Sequence, residues 1–437
     1  MKRLAIPLTI LLALSFIITA CTSSPTQVPF VYGVWTDYDA ALSSVMRVDQ
    51  DGQSPTVLAQ DSNGIFLFQL VTYHNYYAPL SPDGQYLALY LKDAEGIWSL
   101  NIIPTTSSAP APIYVRPFTD TLQRFMEGFS STSRYYAYTV IDQTTSAISV
   151  EIADLQEGIT LTPLADTFFV DYLPSEDAML TLAVGTDGSI SAVQKVTLPD
   201  LTVTTLYEPT AEQQLGLVSV SPNGEYLLIY DLADFSLTRV PLDGGTPDVI
   251  FTFEGTGNAA NYDPSGLNLV LIETTDTAAS FHLMDTELNE TLAVDSIAST
   301  WLSFSGDGSM VTYQDQTEDG AYRLNLIATQ GGDPVVISTE GQFYKSRFTP
   351  DDQNIIYIQF LASTDKVGDL FVASLDGTSV QQIDTNVTSF DFDADGNLVY
   401  FRVDTALMTT SLVRSSLDGT EQTVIMADQP GVLSLIR

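Results

Sequence analysis

Leu80-Ser81-Pro82-Asp83-Gly84-Gln85-Tyr86-Leu87-Ala88-Leu89-Tyr90 is a tight turn running into an apolar strand. Pro82 presets φ at the second turn position, Asp83 follows comfortably, and Gly84 accepts the left-handed conformation that closes a hairpin. The turn returns about every 44 residues, at Ser130-Ser131-Thr132-Ser133, Pro174-Ser175-Glu176-Asp177, Ser221-Pro222-Asn223-Gly224, Asp263-Pro264-Ser265-Gly266, Ser305-Gly306-Asp307-Gly308, Thr349-Pro350-Asp351-Asp352 and Asp393-Ala394-Asp395-Gly396. Where glycine is missing, Ser133, Asp177 and Asp352 are read as its stand-ins. A period of this length marks a repeat architecture, and it overrides the length prior that would divide 437 residues into roughly three domains.

The segment from Leu215 to Phe253 shows the unit best: Leu217 to Val220, the turn, Glu225 to Tyr230, Ser236 to Val240, and Asp248 to Phe253. These are four short strands rich in β-branched and aromatic residues, separated by Gly, Pro, Asp and Asn. A second turn signal falls between the third and fourth strands, as Leu242-Asp243-Gly244, Leu375-Asp376-Gly377 and Leu417-Asp418-Gly419. Helical periodicity is not sustained anywhere, so the chain is predicted to be all-β. Such a sheet cannot bury both faces alone, and the expected solution is a ring of four-stranded antiparallel blades, a single β-propeller. Phe30 to Trp35, Ser43 to Val48 and Pro55 to Ala59 read as a unit lacking its first strand, which Gly431 to Ile436 can supply by closing the ring. The literal count is nine units. The usual size range of propellers favours eight, within a span of seven to nine.

The pattern of an apolar strand, Ser-Pro-Asp-Gly, a second apolar strand, an aromatic strand such as Gly96-Ile97-Trp98-Ser99-Leu100 or Asp369-Leu370-Phe371-Val372-Ala373, and a Leu-Asp-Gly turn resembles the PD40 repeats of TolB-like propellers. The likeness runs over about residues 30–437, and the Gly-His and Trp-Asp marks of WD40 repeats are absent. The resemblance implies an extracytoplasmic propeller that binds partners, often proteins, on one face or at its channel mouth. It also implies relatives that are propeller parts of oligopeptidases, and a few that are lyases.

The N-terminus supports that address. Lys2 and Arg3 precede an apolar stretch from Leu4 to Ile18, as in a secretory signal, and Ile18-Thr19-Ala20-Cys21 resembles the lipobox of bacterial lipoproteins. Cys21 is the single cysteine, so it has no disulfide partner within the chain, and lipidation gives it a role. The expected organisation is a signal peptide over 1–20, lipidated Cys21 with a flexible tether over 21–29, and the propeller over 30–437, anchored to a membrane rather than spanning it. The expected location is the bacterial envelope, facing periplasm or cell exterior. The net charge of −38, with 54 acidic and 16 basic residues, repels nucleic acid phosphates, and nucleic acid is excluded as a partner.

Chemistry is harder to place. No Gly-x-Ser-x-Gly elbow occurs, and His74 and His282, the only histidines, cannot supply three imidazole ligands. Tyr73, His74, Tyr76 and Tyr77 precede the first strand of a blade, where they either cap the sheet or form a platform for a ligand or peptide. Tyr344, Lys345 and Arg347, on a predicted first strand, read either as an internal ion-pairing cluster or as an anchor for a carboxylate-bearing ligand. Asp391, Asp393 and Asp395, with Gly396, open like a calcium loop. Arg402 stands where an EF-hand needs Glu, however, and the repeat's own turn already accounts for Asp395 and Gly396. No cofactor, and no metal beyond this weak calcium candidate, is expected. The expectation is a monomeric, noncatalytic binding or scaffold module with a protein partner in the envelope. The alternatives are a glycan-active enzyme using carboxylates at the channel mouth, or a solute- or signal-binding lipoprotein.

Overall fold

A computed structural model describes residues 30–37, 42–48, 55–61, 79–93, 95–106, 110–119, 122–174, 177–254, 259–275, 279–339, 341, 343–361, 367–393, 395–407, 409–430 and 432–436. Among them there is no α-helix, and 34 strands follow one another in meanders. Blade one opens with β1 (Phe30–Asp37), β2 (Leu42–Val48) and β3 (Pro55–Asp61), and blade two holds β4 (Tyr86–Lys92), β5 (Trp98–Pro104) and β6 (Tyr114–Phe118). Blade three holds β7 (Leu122–Phe129), β8 (Tyr135–Asp142) and β9 (Ile148–Asp154), with its outer edge split into β10 (Ile159–Thr160) and β11 (Leu164–Ala165). Blade four is β12 (Thr167–Tyr172), β13 (Ala178–Val184), β14 (Ile190–Thr197) and β15 (Thr202–Tyr207), and blade five is β16 (Leu215–Val220), β17 (Tyr226–Asp231), β18 (Ser236–Pro241) and β19 (Asp248–Thr252). Blade six comprises β20 (Ala259–Tyr262), β21 (Leu269–Thr274), β22 (Ala279–Met284) and the first half of β23 (Glu290–Phe304).

The second half of β23 starts blade seven, with β24 (Met310–Gln316), β25 (Tyr322–Ala328) and β26 (Val335–Ser338). Blade eight takes β27 (Phe343–Phe348), β28 (Asn354–Phe360), β29 (Gly368–Ser374) and the first half of β30 (Val380–Phe392). The rest of β30 begins blade nine, with β31 (Leu398–Asp404), β32 (Thr409–Ser415) and β33 (Gln422–Pro430). Finally β34 (Val432–Ile436) returns to pair antiparallel with β1, Val31 opposite Ile436 and Trp35 opposite Val432, as the terminal strands predict.

The blade number follows from the core. Successive strand residues point to opposite faces, so one strand can feed two interfaces: Leu269 and Leu271 of β21 pack against Leu228 and Leu237 of blade five. Val270 and Ile272 pack against Val311 and Ile327 of blade seven. The same arrangement links Leu58 of blade one with Leu87 of blade two, Leu100 with Tyr138, Ile152 with Met179 and Leu180 with Leu227. It continues from Leu326 to Tyr357 and from Ile356 to Leu398. The ninth cluster joins Phe401 and Leu412 of the last blade to Met46 of the first, so the described blades form a closed ring of nine. The count is the literal one read from the repeats, at the top of the expected range rather than the eight that usual propeller sizes favour.

The turns explain why position one is Ser, Thr or Asp. Ser81 Oγ donates to Asp83 Oδ1 (2.6 Å) and accepts from the Tyr86 N–H (2.9 Å), and Ser221, Ser305 and Thr349 repeat the arrangement. Ser133 and Asp352 do take glycine's left-handed conformation, with φ of 60° and 55°. Their side chains compensate by linking blades: the Asp83 N–H donates to Ser133 Oγ (3.1 Å), and the Gly306 and Asp307 N–H groups donate to the Asp352 carboxylate (2.8 and 3.2 Å). The copy in blade four differs from the reading above. Its loop closes from Leu173 N–H to Ala178 O, so it starts at Leu173, and Asp177 follows the glycine position rather than filling it. Asp177 instead accepts from Thr132 Oγ1 of the neighbouring turn (2.8 Å).

Candidate functional site at the inner strands

The first strand of each blade lies at the inner end of its sheet, where blades converge: β12 touches both β7 and β16, and β23 touches β27. Such strands line the central channel of a propeller. The residue just before most turns is a core side chain, as at Leu80, Tyr172, Tyr262, Phe304, Phe348 and Phe392. One residue further back the pleat reverses, and five blades place a polar residue at that level, Asp171, Ser219, Ser303, Arg347 and Asp391, while blades two and three have Pro79 and Gly128 there.

Two of these neutralise each other. Arg347 donates from a terminal guanidinium nitrogen to Asp391 Oδ1 at 2.8 Å, bridging blades eight and nine, and the Asp391 side chain is only 6% exposed. Asp391 also accepts from the Phe392 N–H (2.8 Å). Lys345 is half-buried two residues before Arg347, on the same side of the pleat. Tyr344 points the other way and is fully buried, its hydroxyl accepting from the Gly341 N–H (2.6 Å). Its own N–H and C=O are held by the side-chain amide of Gln314 in blade seven (3.0 and 2.8 Å). Tyr344 is thus a packing residue, with no face open to a ligand, while Arg347 sits in an internal ion pair.

The remaining acidic candidates are engaged by arginine and backbone. Asp393 accepts from the Asp395 and Asn397 N–H groups (2.9 and 2.8 Å) and from Arg414 Nε (2.5 Å), and Asp395 accepts from the other end of the same guanidinium (3.1 Å). Asp391, Asp393 and Asp395 therefore face guanidinium groups, which compete with any cation for their oxygens. Cys21, Tyr73, His74, Tyr76 and Tyr77 lie outside the described residues. His282 sits on the third strand of blade six, away from the inner ring, with Nδ1 2.9 Å from Glu290 Oε2.

Between blades two and three lies a second polar network. Arg116 grips Glu151 through two hydrogen bonds (2.8 and 2.7 Å), Tyr138 donates to the same carboxylate (2.7 Å), and Tyr114 bonds the Tyr138 hydroxyl (3.0 Å). Burial opposes ionisation of Glu151, but the bonds from Arg116 and Tyr138 outweigh it and hold the carboxyl below its ordinary range. Nearby, buried Glu127 accepts from the Tyr90 hydroxyl. These carboxylates brace blade against blade.

Two inner-strand residues that the sequence reading passes over remain open. Asp171 is accessible to solvent, yet protein surrounds it, as expected of a channel wall, and desolvation pushes its carboxyl up to about 6 against a single opposing bond from the Tyr172 N–H. Trp301, four residues before Ser305 on the stretch of β23 where the pairing with β24 shifts register, is 44% exposed. Alignment of first strands by distance from the turn could have found both. For Asp171 the one-residue offset of the blade-four turn hides the signal.

The ring's geometry agrees with what is known of other structures. The chain superposes on a eukaryotic initiation factor structure with a TM-score of 0.63 at 11% identity, over 94% of this chain and 98% of that one. The fold is a β-propeller. Lower-scoring neighbours include TolB from Acinetobacter baumannii (TM-score 0.32, 12% identity, 72% and 83% covered). An oligogalacturonate lyase from Vibrio parahaemolyticus is another (0.41, 13% identity, 77% and 95% covered). No family model matches the chain, and no curated protein sequence does so.

Proposed function

We propose that the chain is a lipid-anchored propeller of the bacterial envelope that binds a protein partner at its inner strands and catalyses no reaction there. The observation that carries this reading is the way most carboxylates at the inner strands and their turns are spent, Asp391 on Arg347, Asp393 on Arg414 and Glu127 on Tyr90, which leaves the aromatic Trp301 and the single carboxylate Asp171 as the open features. Exposed Trp is a strong anchor for a partner, and a carboxylate already bonded to guanidinium is a poor proton carrier. Anchoring rests on the apolar stretch from Leu4 to Ile18 and the lipobox-like Ile18-Thr19-Ala20-Cys21 that follows, and Cys21→Ala is expected to release the protein from membranes into the soluble fraction.

The test is photo-crosslinking in intact cells, with the reactive group placed at Trp301 or, as a control, at Val249, which is 60% exposed on the outermost strand of blade five. A protein captured reproducibly from position 301 and not from 249 supports the reading. Equal capture from both sites, or none from either, overturns it. The glycan-active reading has one observation in its favour, an open carboxylate on an inner strand at Asp171, which its surroundings push up towards the range of a general acid. It predicts turnover of envelope glycans that Asp171→Asn abolishes.

A further inference from the structure

Each blade ends in an outermost strand whose outer edge has no neighbour within the sheet, a ready template for another strand. Most of these edges carry features that blunt such pairing. Charge or proline falls within β6 (Arg116, Pro117), the outer half of β23 (Asp295), the outer half of β30 (Asp384) and the end of β33 (Asp428, after the uncharged run 422–427), and it bounds β3 (Pro55, Asp61) and β19 (Asp248). In blade three, β10 and β11 are two residues each. The uncharged β26 has four residues, and the next blade leans on it: a Cβ on Gly377 would lie 3.0 Å from Val335 Cγ1 and from the Val336 carbonyl.

The exception is β15, Thr202-Val203-Thr204-Thr205-Leu206-Tyr207. It has six residues, no charge and no proline, and Thr202 to Thr205 are all exposed. Its inner edge is paired to β14 from Val193–Tyr207 to Thr197–Thr202, so the outer edge alone is open. Four β-branched residues in succession favour an extended partner beside them. Acidic side chains bracket the strand, Asp200 before it and Glu208 and Glu212 after it, all exposed, on a chain of net charge −38. Lys195, the nearby basic residue on β14, already has an interaction within the protein.

We propose that β15 is a docking edge for an extended polypeptide segment of another protein, added to blade four as a fifth strand, with Lys or Arg flanking its β-branched core. Charge selects the occupant: a basic segment is attracted by Asp200, Glu208 and Glu212, whereas a second copy of this chain brings its own net negative charge to the contact. The edge lies at the rim, opposite in the sheet to the inner strands, and the inference does not rest on partner binding there.

The experiment uses the mature protein and an acetylated, amidated octapeptide, Lys-Thr-Val-Thr-Val-Thr-Val-Lys, with amide hydrogen exchange read across the chain. The expected result is exchange slowed about tenfold at the β15 amides not bonded to β14. The same peptide N-methylated at alternate residues, or with Glu in place of both Lys, should leave exchange unchanged, as should Thr204→Lys in the protein. Protection by the acidic or N-methylated peptide to the same extent, absence of protection by the basic one, or protection of β15 by protein concentration alone would each overturn the proposal.

Discussion

Gly308 sits so close to the preceding turn that an added Cβ would lie 2.2 Å from Ser265 Oγ and 2.5 Å from Asp263 Oδ2, and its φ is +71°. Gly320 has a similar φ, +83°, and nothing within 4 Å. The pair separates the two reasons for glycine. Gly320→Ala should cost about 1 kcal/mol, the left-handed conformation alone, whereas Gly308→Ala should cost about 3 kcal/mol because the neighbouring blade must also give way. Equal losses in denaturant unfolding would show that inter-blade contact at the turns contributes nothing. Asp171 offers a test by pH. Its folded carboxyl is raised to about 6, so it favours the folded state when protonated, and that contribution is full below the unfolded value near 4 and lost as pH rises through 6. Asp171→Asn should therefore be more stable than the parent at pH 7 and converge with it towards pH 4. A constant difference across that range would place the carboxyl in an ordinary aqueous setting. Asp376 and Asp418 carry the opposite sign. Hydroxyls of Ser374 and Ser416, with backbone and Thr donors, hold them at about 2, so their contribution is present above pH 4 and fades towards 2.

Elements are joined to their neighbours in the ring by side chains that reach from the first or second strand of one blade to the first strand of the next. Gln314 of β24 saturates the Tyr344 backbone on β27, Thr139 of β8 accepts from the Phe169 N–H on β12 (2.9 Å), and Arg347 of β27 meets Asp391 of β30. The ion pair is the one whose loss should be felt most, because Asp391 is nearly inaccessible while Arg347 is 28% exposed. Arg347→Met should destabilise by about 3 kcal/mol, by removing the guanidinium that a nearly buried carboxylate bonds. The double change Arg347→Met with Asp391→Leu should recover most of that loss, since two apolar side chains replace the pair without an orphan charge. Failure of the double variant to recover would mean that the pair carries a specific contact its apolar replacement cannot. At this scale the sequence was legible in part. Lys345 and Arg347 stand out as two basic residues close together, beside two aromatics, in an acidic chain, and an internal pair is one of two readings of them. That Asp391 is the partner, 44 residues away and one whole repeat along, is not legible, because any of 54 acidic residues qualifies until the blades are in place.

Closure governs the whole molecule. β34 completes the sheet of blade one, and blade one in turn fills the gap between blades nine and two through Met46 on one side and Leu58 on the other. Removing residues 431–437 leaves the edge of β1 unpaired and should lower the thermal midpoint by about 5 °C or more, with the first proteolytic cuts in residues 30–61. A midpoint equal to the parent's would mean that the ring holds without this strand. The charge of −38 acts on every blade at once, and the midpoint should rise with added salt as like charges are screened over ~10 Å at 0.1 M. What the sequence determined by itself is the repeat: the turn chemistry at Ser81 and its copies, the four strands of each unit, and the terminal strand that closes the ring. All of these depend on forces acting within a few residues, the φ preferences of Pro and Gly, the hydroxyl hub at turn position one and the two-residue pleat. Tertiary structure alone decided that nine blades close rather than eight, that the blade-four turn begins at Leu173, that Asp171 and Trp301 stay open on the inner strands, and that β15 is left unguarded at the rim. Those outcomes depend on which side chains meet across blades, and residues a repeat or more apart meet only once the ring has formed.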